Sequence, residues 1–227
     1  MRPLTISTRT TGRILIEDPA GSVSPSRSIL LGCHGYGQNA ADLLEELRRI
    51  PGANEWTLVS VQALHRFYTR NDQRVVASWM TREDREHAIA DNIEYLNRVV
   101  SNLTEDTETT GGERRVVYLG FSQGASMAAR AAVRGTRRAA GLIMLGGDIP
   151  QDVRDDASLQ WPPVLIGAGR DDKWYGARID SDVQFLASRG VCHEVVRFAG
   201  GHEFTEEFRS AAGDWLRSVK AVDPDLA

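Results

Sequence analysis

Ser122 stands at the centre of Gly120-Phe121-Ser122-Gln123-Gly124, between the apolar run Arg115–Leu119 and the helix-like run Gln123–Arg134. A serine at such a strand-to-helix turn is held on a strained backbone that projects its hydroxyl. Glycines two places to either side let strand and helix approach closely. The helix start behind it favours the negative charge that develops when a hydroxyl adds to a carbonyl. A glycine-rich chain can produce the pentapeptide by chance, and a tight turn with a structural serine is the plain alternative. Its place between strand and helix is what points to a nucleophile.

A serine hydroxyl needs a base, and the base needs an acid to orient it. On this architecture the order along the chain is serine, acid, histidine. Asp172 ends Gly169-Arg170-Asp171-Asp172, after the strand-like Val164–Gly167; His202 follows Ala199-Gly200-Gly201, after the strand-like Glu194–Phe198. Each gap, fifty residues and then thirty, holds the helix and strand needed to return to the same sheet edge. Asp171 and Asp148 compete for the role of acid, and the geometry of roles favours Asp172. His34 also ends a strand but precedes the serine. It reads better as part of a glycine-rich loop, Gly32-Cys33-His34-Gly35-Tyr36-Gly37, with the N–H of Tyr36 and that of Gln123 converging on an oxyanion. His65, His87 and His193 have no such context and are expected at the surface or in loops. A substrate pocket is expected from an aromatic wall of Trp79 and Trp174, joined by Met80, Asp148, Ile149 and Tyr175.

The elements that must position these residues alternate. Strands are expected at Arg13–Ile16, Ile29–Cys33, Thr57–Val61, Arg115–Leu119, Ala140–Leu145, Val164–Gly167 and Glu194–Phe198. Helices are expected at Ala40–Arg49, Arg85–Leu103, Gln123–Arg134, Ile179–Arg189 and Thr205–Val219. Ile89, Ile93, Leu96 and Val100 repeat at helical spacing. Such alternation predicts an α/β fold with a mostly parallel central sheet and helices on both faces. The stretch 62–84 shows no period and carries Phe67, Tyr68, Trp79 and Met80, which suits a functional loop or plain packing. Thr104–Glu113 is polar and acidic and reads as a surface loop.

Composition bounds the rest. The chain has 227 residues, 41% hydrophobic and 26% charged, near the globular average, which excludes collagen, coiled coil and disorder. No apolar run approaches the roughly 20 residues of a spanning helix, and the N-terminus shows no signal-peptide pattern. The expectation is a cytoplasmic protein without a membrane span. The net charge of −4 argues against a nucleic-acid partner. Lys173 and Lys220 are the only lysines, set against abundant arginine. Cys33 and Cys192 are expected at opposite sheet edges, as two buried reduced thiols. Histidines and cysteines are not paired as zinc ligands are, so no metal and no organic cofactor is expected.

Taken together, LGCHGYGQNAADL (31–43), VASWM (76–80), AIADNIEYL (88–96), GFSQGASMA (120–128), GAGRDDKWY (167–175) and AGGHEF (199–204) resemble the α/β-hydrolase superfamily. More narrowly, they are similar to the phospholipase/carboxylesterase family, with its acyl-protein thioesterases and small bacterial carboxylesterases. The resemblance runs from about residue 28 to 220 and implies a single domain over 1–227. It implies Ser122, Asp172 and His202 as triad and Tyr36 and Gln123 as oxyanion amides, acting on a small-molecule ester or thioester. Where many members have Ser-Gly and then apolar residues, this chain has Gly146-Gly147-Asp148, which makes long lipid-like acyl groups a poorer expectation. A lactone or dienelactone-type hydrolase, a peptidase and a non-catalytic binding protein are the competing functions. The first often uses a cysteine nucleophile, the second brings an extra domain, and the third tends to lose triad members. Oligomeric state stays open, a homodimer included.

Overall fold

The computed structural model describes residues 2, 4–21, 26–105 and 113–221. Seven strands form one sheet: β1 (Arg13–Glu17), β2 (Ser28–Cys33), β3 (Thr57–Gln62), β6 (Arg115–Phe121), β7 (Gly141–Leu145), β8 (Val164–Gly169) and β9 (His193–Phe198). Their spatial order is β1-β3-β2-β6-β7-β8-β9. Only β1 runs antiparallel, pairing Leu15 with Ser60 of β3. All other neighbours are parallel. The main helices are α1 (Ala40–Arg48), α2 (Arg85–Thr104), α3 (Gln123–Arg134), α5 (Ile179–Ser188) and α6 (Glu206–Ala221), with a single turn, α4, at Gln151–Arg154.

The strand sequences account for the two-sided cover. Successive side chains of a strand point to opposite faces, so a strand buried on both faces reads as a continuous apolar run. Along β2, Ile29, Leu31 and Cys33 enter one core, with Trp79, Leu96 and Met127, while Leu30 enters the other, with Leu43, Phe208 and Trp215. β6 divides the same way, Val116 and Tyr118 against Val117, Leu119 and Phe121. α1 starts where Asn39 caps it. The Asn39 side chain accepts the N–H groups of Ala41 and Asp42 at 2.9 and 3.0 Å, and Asp42 returns a bond to the Asn39 N–H at 2.9 Å.

Three expectations are corrected. The stretch 62–84 contains an antiparallel ribbon, β4 (His65–Tyr68) with β5 (Val75–Ser78). Its period was hidden because β4 is mostly exposed and buries no apolar face. His65 sits exposed on β4, in keeping with a surface position, and His193 opens β9. Cys33 is buried as expected, but Cys192 is exposed; both are free. The stretch read as a surface loop is described only at its ends, Thr104 being the buried last residue of α2, while 106–112 lie outside the described residues. Among the described residues no helix is long and apolar enough to cross a membrane.

Candidate active site

Parallel strands direct their carboxyl ends to one edge, and β2, β6, β7, β8 and β9 each leave a loop there. Ser122 follows β6 directly, with φ 54° and ψ −121°, a positive-φ conformation uncommon for any residue but glycine. The turn is fixed by a 2.8 Å bond from the Ser122 N–H to the Leu145 carbonyl of β7. Close packing around it explains the flanking glycines. A Cβ on Gly124 would lie 2.0 Å from the Cys33 carbonyl oxygen, and one on Gly120 would lie 2.3 Å from that of Gly124.

His202, in the loop after β9, places Nδ1 2.7 Å from Oδ2 of Asp172, in the loop after β8. The other oxygen, Oδ1, accepts the N–H groups of Trp174 at 2.8 Å and Tyr175 at 3.0 Å. Burial pushes the Asp172 carboxyl up, but the His202 bond and the two amides outweigh it and hold it below the usual carboxylate range. The His202 ring lies 4.9 Å, centroid to centroid, from Phe121, the residue before Ser122. Gly146 also lies against this ring. A Cβ there would meet His202 Cε1 at 3.0 Å, and the φ of 62° suits glycine. Asp171 is exposed and bonds through its N–H to the Gly200 carbonyl. Asp148 is half-exposed, with its Oδ2 3.8 Å from Arg178.

The glycine-rich loop after β2 crosses the front of Ser122, with Gly35 so close that a Cβ on it would lie 3.3 Å from that of Ser122. Its backbone donors are almost all used. The Gly35 N–H reaches the Gln38 side chain at 2.8 Å, Gly37 reaches Ala77 at 3.1 Å, and Gln38 reaches Gly35 at 3.2 Å. The Tyr36 N–H has no protein acceptor among the described residues, and neither has the Gln123 N–H, the first of α3. His34 is structural here. Its buried ring places Nδ1 against the Gly35 carbonyl at 2.8 Å and accepts the Ala63 N–H on Nε2 at 3.1 Å, while burial lowers its pKa.

The expected aromatic wall takes another form. Trp79 is fully buried, its indole N–H bonded to the His34 carbonyl at 2.7 Å, and so belongs to the packing beneath the loop, not to a surface that substrate touches. Met80, Ile149 and Tyr175 are also buried. Trp174 alone among the expected apolar wall is open, at 78% exposure. A groove of about 660 Å³ runs from Ser126, one helical turn beyond Ser122, and Asp148 past Ile89 to Arg85, Arg134 and Asp152; none of Ser122, Asp172 and His202 lines it. Sequence reasoning gave the Gln123 side chain no role. It accepts the Trp79 N–H at 2.8 Å and donates to the Met80 carbonyl at 2.8 Å, tying the turn at Ser122 to the chain beyond β5. Asp182 was also overlooked, although an acid between Ile179 and Leu186 on an apolar helical stripe is a readable oddity. Among the described residues no cluster of three His, Cys, Asp or Glu side chains is placed to hold a metal ion.

The family profile described as Phospholipase/Carboxylesterase matches residues 19–209. The chain belongs to the phospholipase/carboxylesterase family. Membership of this hydrolase family implies esterase-type hydrolysis in general terms. No curated protein sequence matches significantly. Among solved structures, the esterase PE8 superposes with a TM-score of 0.68 at 24% identity, over 92% of this chain and 98% of that one. A carboxylesterase from Mesorhizobium loti gives 0.68 at 23% identity, over 91% and 93%. Zea mays acyl-protein thioesterase 2 gives 0.69 at 16% identity, over 92% and 99%. At these identities the likeness establishes the shared α/β-hydrolase fold.

Proposed function

We propose that this family member is a serine esterase that cleaves small to medium carboxylic esters through an acyl-enzyme, and thioesters of the same acyl groups by the same route. The observation that carries the reading is the Asp172–His202 hydrogen bond at the sheet edge where Ser122 sits on its strained turn. Ser122 Oγ adds to the ester carbonyl while His202 Nε2 takes its proton. Asp172 fixes the tautomer that leaves Nε2 free and stabilises the imidazolium. The unoccupied N–H groups of Tyr36 and Gln123 receive the oxyanion. His202 then gives the proton to the departing alcohol, and water, activated by the same imidazole, releases the acid. These groups complete the cycle using protein side chains and amides alone.

A dienelactone-type cysteine mechanism is disfavoured by placement. Cys33 ends β2 rather than occupying the turn, and burial pushes its thiol well up. Carboxylates and guanidinium groups line the groove that starts at Asp148, so a long apolar chain would desolvate charge there, and short acyl groups fit better. Hydrolysis of p-nitrophenyl acetate, butyrate and decanoate by wild type and Ser122→Ala tests the proposal. The variant should fold normally and lose about 10⁴ to 10⁶ in kcat. Retained turnover in Ser122→Ala would overturn it.

A further inference from the structure

A second carboxylate stands behind the Asp172–His202 pair and joins the two loops that flank it. Asp182 of α5 is fully buried. Its Oδ2 accepts the Tyr175 hydroxyl at 2.6 Å. Its Oδ1 accepts the Ile149 N–H at 3.2 Å and pairs with the Arg154 guanidinium. Arg154 also donates through Nε to the Ile149 carbonyl at 3.1 Å, so both backbone polar groups of Ile149 end on one ion pair. Tyr175 belongs to the loop after β8, and its N–H is one of the two that hold Asp172 Oδ1. Ile149 ends the loop after β7, whose Gly146 lies against the His202 ring.

Stability alone explains such an arrangement poorly. Desolvating an ion pair is expensive, and apolar residues of the same volume often serve a core as well or better. Directional bonds to two separate loops do something that apolar packing cannot: they fix the loops' relative position. Moreover, each loop carries a different contact to the acid–base pair. A misplacement near one ångström at reacting groups can cost about a hundredfold in rate.

We propose that Asp182, paired with Arg154, is a positioning residue that clamps Tyr175 and Ile149 so that Asp172 stays aligned on His202 Nδ1. This rests on the assignment of Ser122, His202 and Asp172 as the triad. Asp182 touches none of the reacting atoms and acts through Tyr175.

Tyr175→Phe, which keeps the ring and removes the hydroxyl, and Asp182→Asn test this with p-nitrophenyl butyrate across the titration range of a histidine. Both should lower kcat, by about tenfold to a hundredfold, with KM changed less than about twofold, the pattern of a contact that matters in the transition state. The acidic limb of kcat/KM should move to lower pH, because a poorly aligned carboxylate stabilises the imidazolium less. The double variant should lose little more than Asp182→Asn alone, since both break one chain of contacts. If Asp182→Asn does not fold, Tyr175→Phe decides the matter. Wild-type kcat and an unmoved acidic limb in Tyr175→Phe, with or without a loss of thermal stability, would overturn the inference. Ser122→Ala in the same assay separates the levels. Turnover that does not depend on Ser122 would remove both this inference and the triad. Ser122-dependent turnover with wild-type behaviour in the variants would remove this inference alone.

Discussion

Asp172 and Asp171 are neighbours with opposite surroundings, and that contrast makes the acid testable. Asp172 is buried with both carboxylate oxygens engaged, one by His202 and the other by two amides, whereas Asp171 faces water. Asp172→Asn should lower kcat by about 10³ to 10⁴, while Asp171→Asn and Asp148→Asn should leave it within a few-fold; steady-state kinetics on one ester decides. The same carboxyl contributes to stability with a definite sign. Its folded pKa is depressed, so the contribution is full above its unfolded value of about 3.9. It is lost as pH falls through the lower folded value. Urea unfolding of wild type and Asp172→Asn should therefore differ by a constant amount near neutrality and converge in acid. The three residues proposed as the triad stand out in the sequence because each follows a strand at a glycine-marked turn. The acid itself was ambiguous, since two adjacent aspartates cannot be separated without knowing which one the turn buries. The two tryptophans show a further limit, because an aromatic residue covers area wherever it sits. Trp79→Ala should cost about 3 to 5 kcal/mol of stability and scale all substrates alike. Trp174→Ala should leave the melting temperature unchanged and alter relative kcat/KM among esters, as thermal melts and an ester panel will report.

At the turn between β6 and α3, space is the controlling quantity. Gly124 packs against the Cys33 carbonyl so closely that no side chain fits without moving β2 away from α3. Gly124→Ala should destabilise by about 3 kcal/mol or more, the upper end of overpacking costs, and denaturant unfolding measures it. Activity should fall with it, because the same shift moves the Tyr36 loop off Ser122. The strands and main helices were readable from their apolar periods, since burial on both faces leaves continuous runs such as Ile29-Leu30-Leu31. The β4–β5 ribbon was not, because the exposed β4 shows no apolar alternation and the buried part of β5 is only three residues, Val76 to Ser78. The clamp made by the Gln123 side chain on Trp79 and Met80 had no signal either: its partners are backbone groups 44 and 43 residues away, which carry no sequence preference.

Across the molecule, the six parallel strands bring their carboxyl ends to one edge. The order β3-β2-β6-β7-β8-β9 places the loops after β2, β7, β8 and β9 around the serine that leaves β6. In the proposed reaction the groove from Ser126 to Asp152 receives the acyl group. Because Asp148, Asp152, Arg85 and Arg134 line the adjoining groove, the acyl-length profile of kcat/KM should peak at about two to six carbons; an optimum at decanoate or beyond would reassign the groove. Chemistry at a single serine is the claim on which everything else depends. Intact-protein mass spectrometry with peptide mapping after treatment with a fluorophosphonate tests it directly. One adduct is expected, on Ser122, in step with the loss of esterase activity. An adduct on another residue, or full activity remaining in the labelled protein, would contradict it.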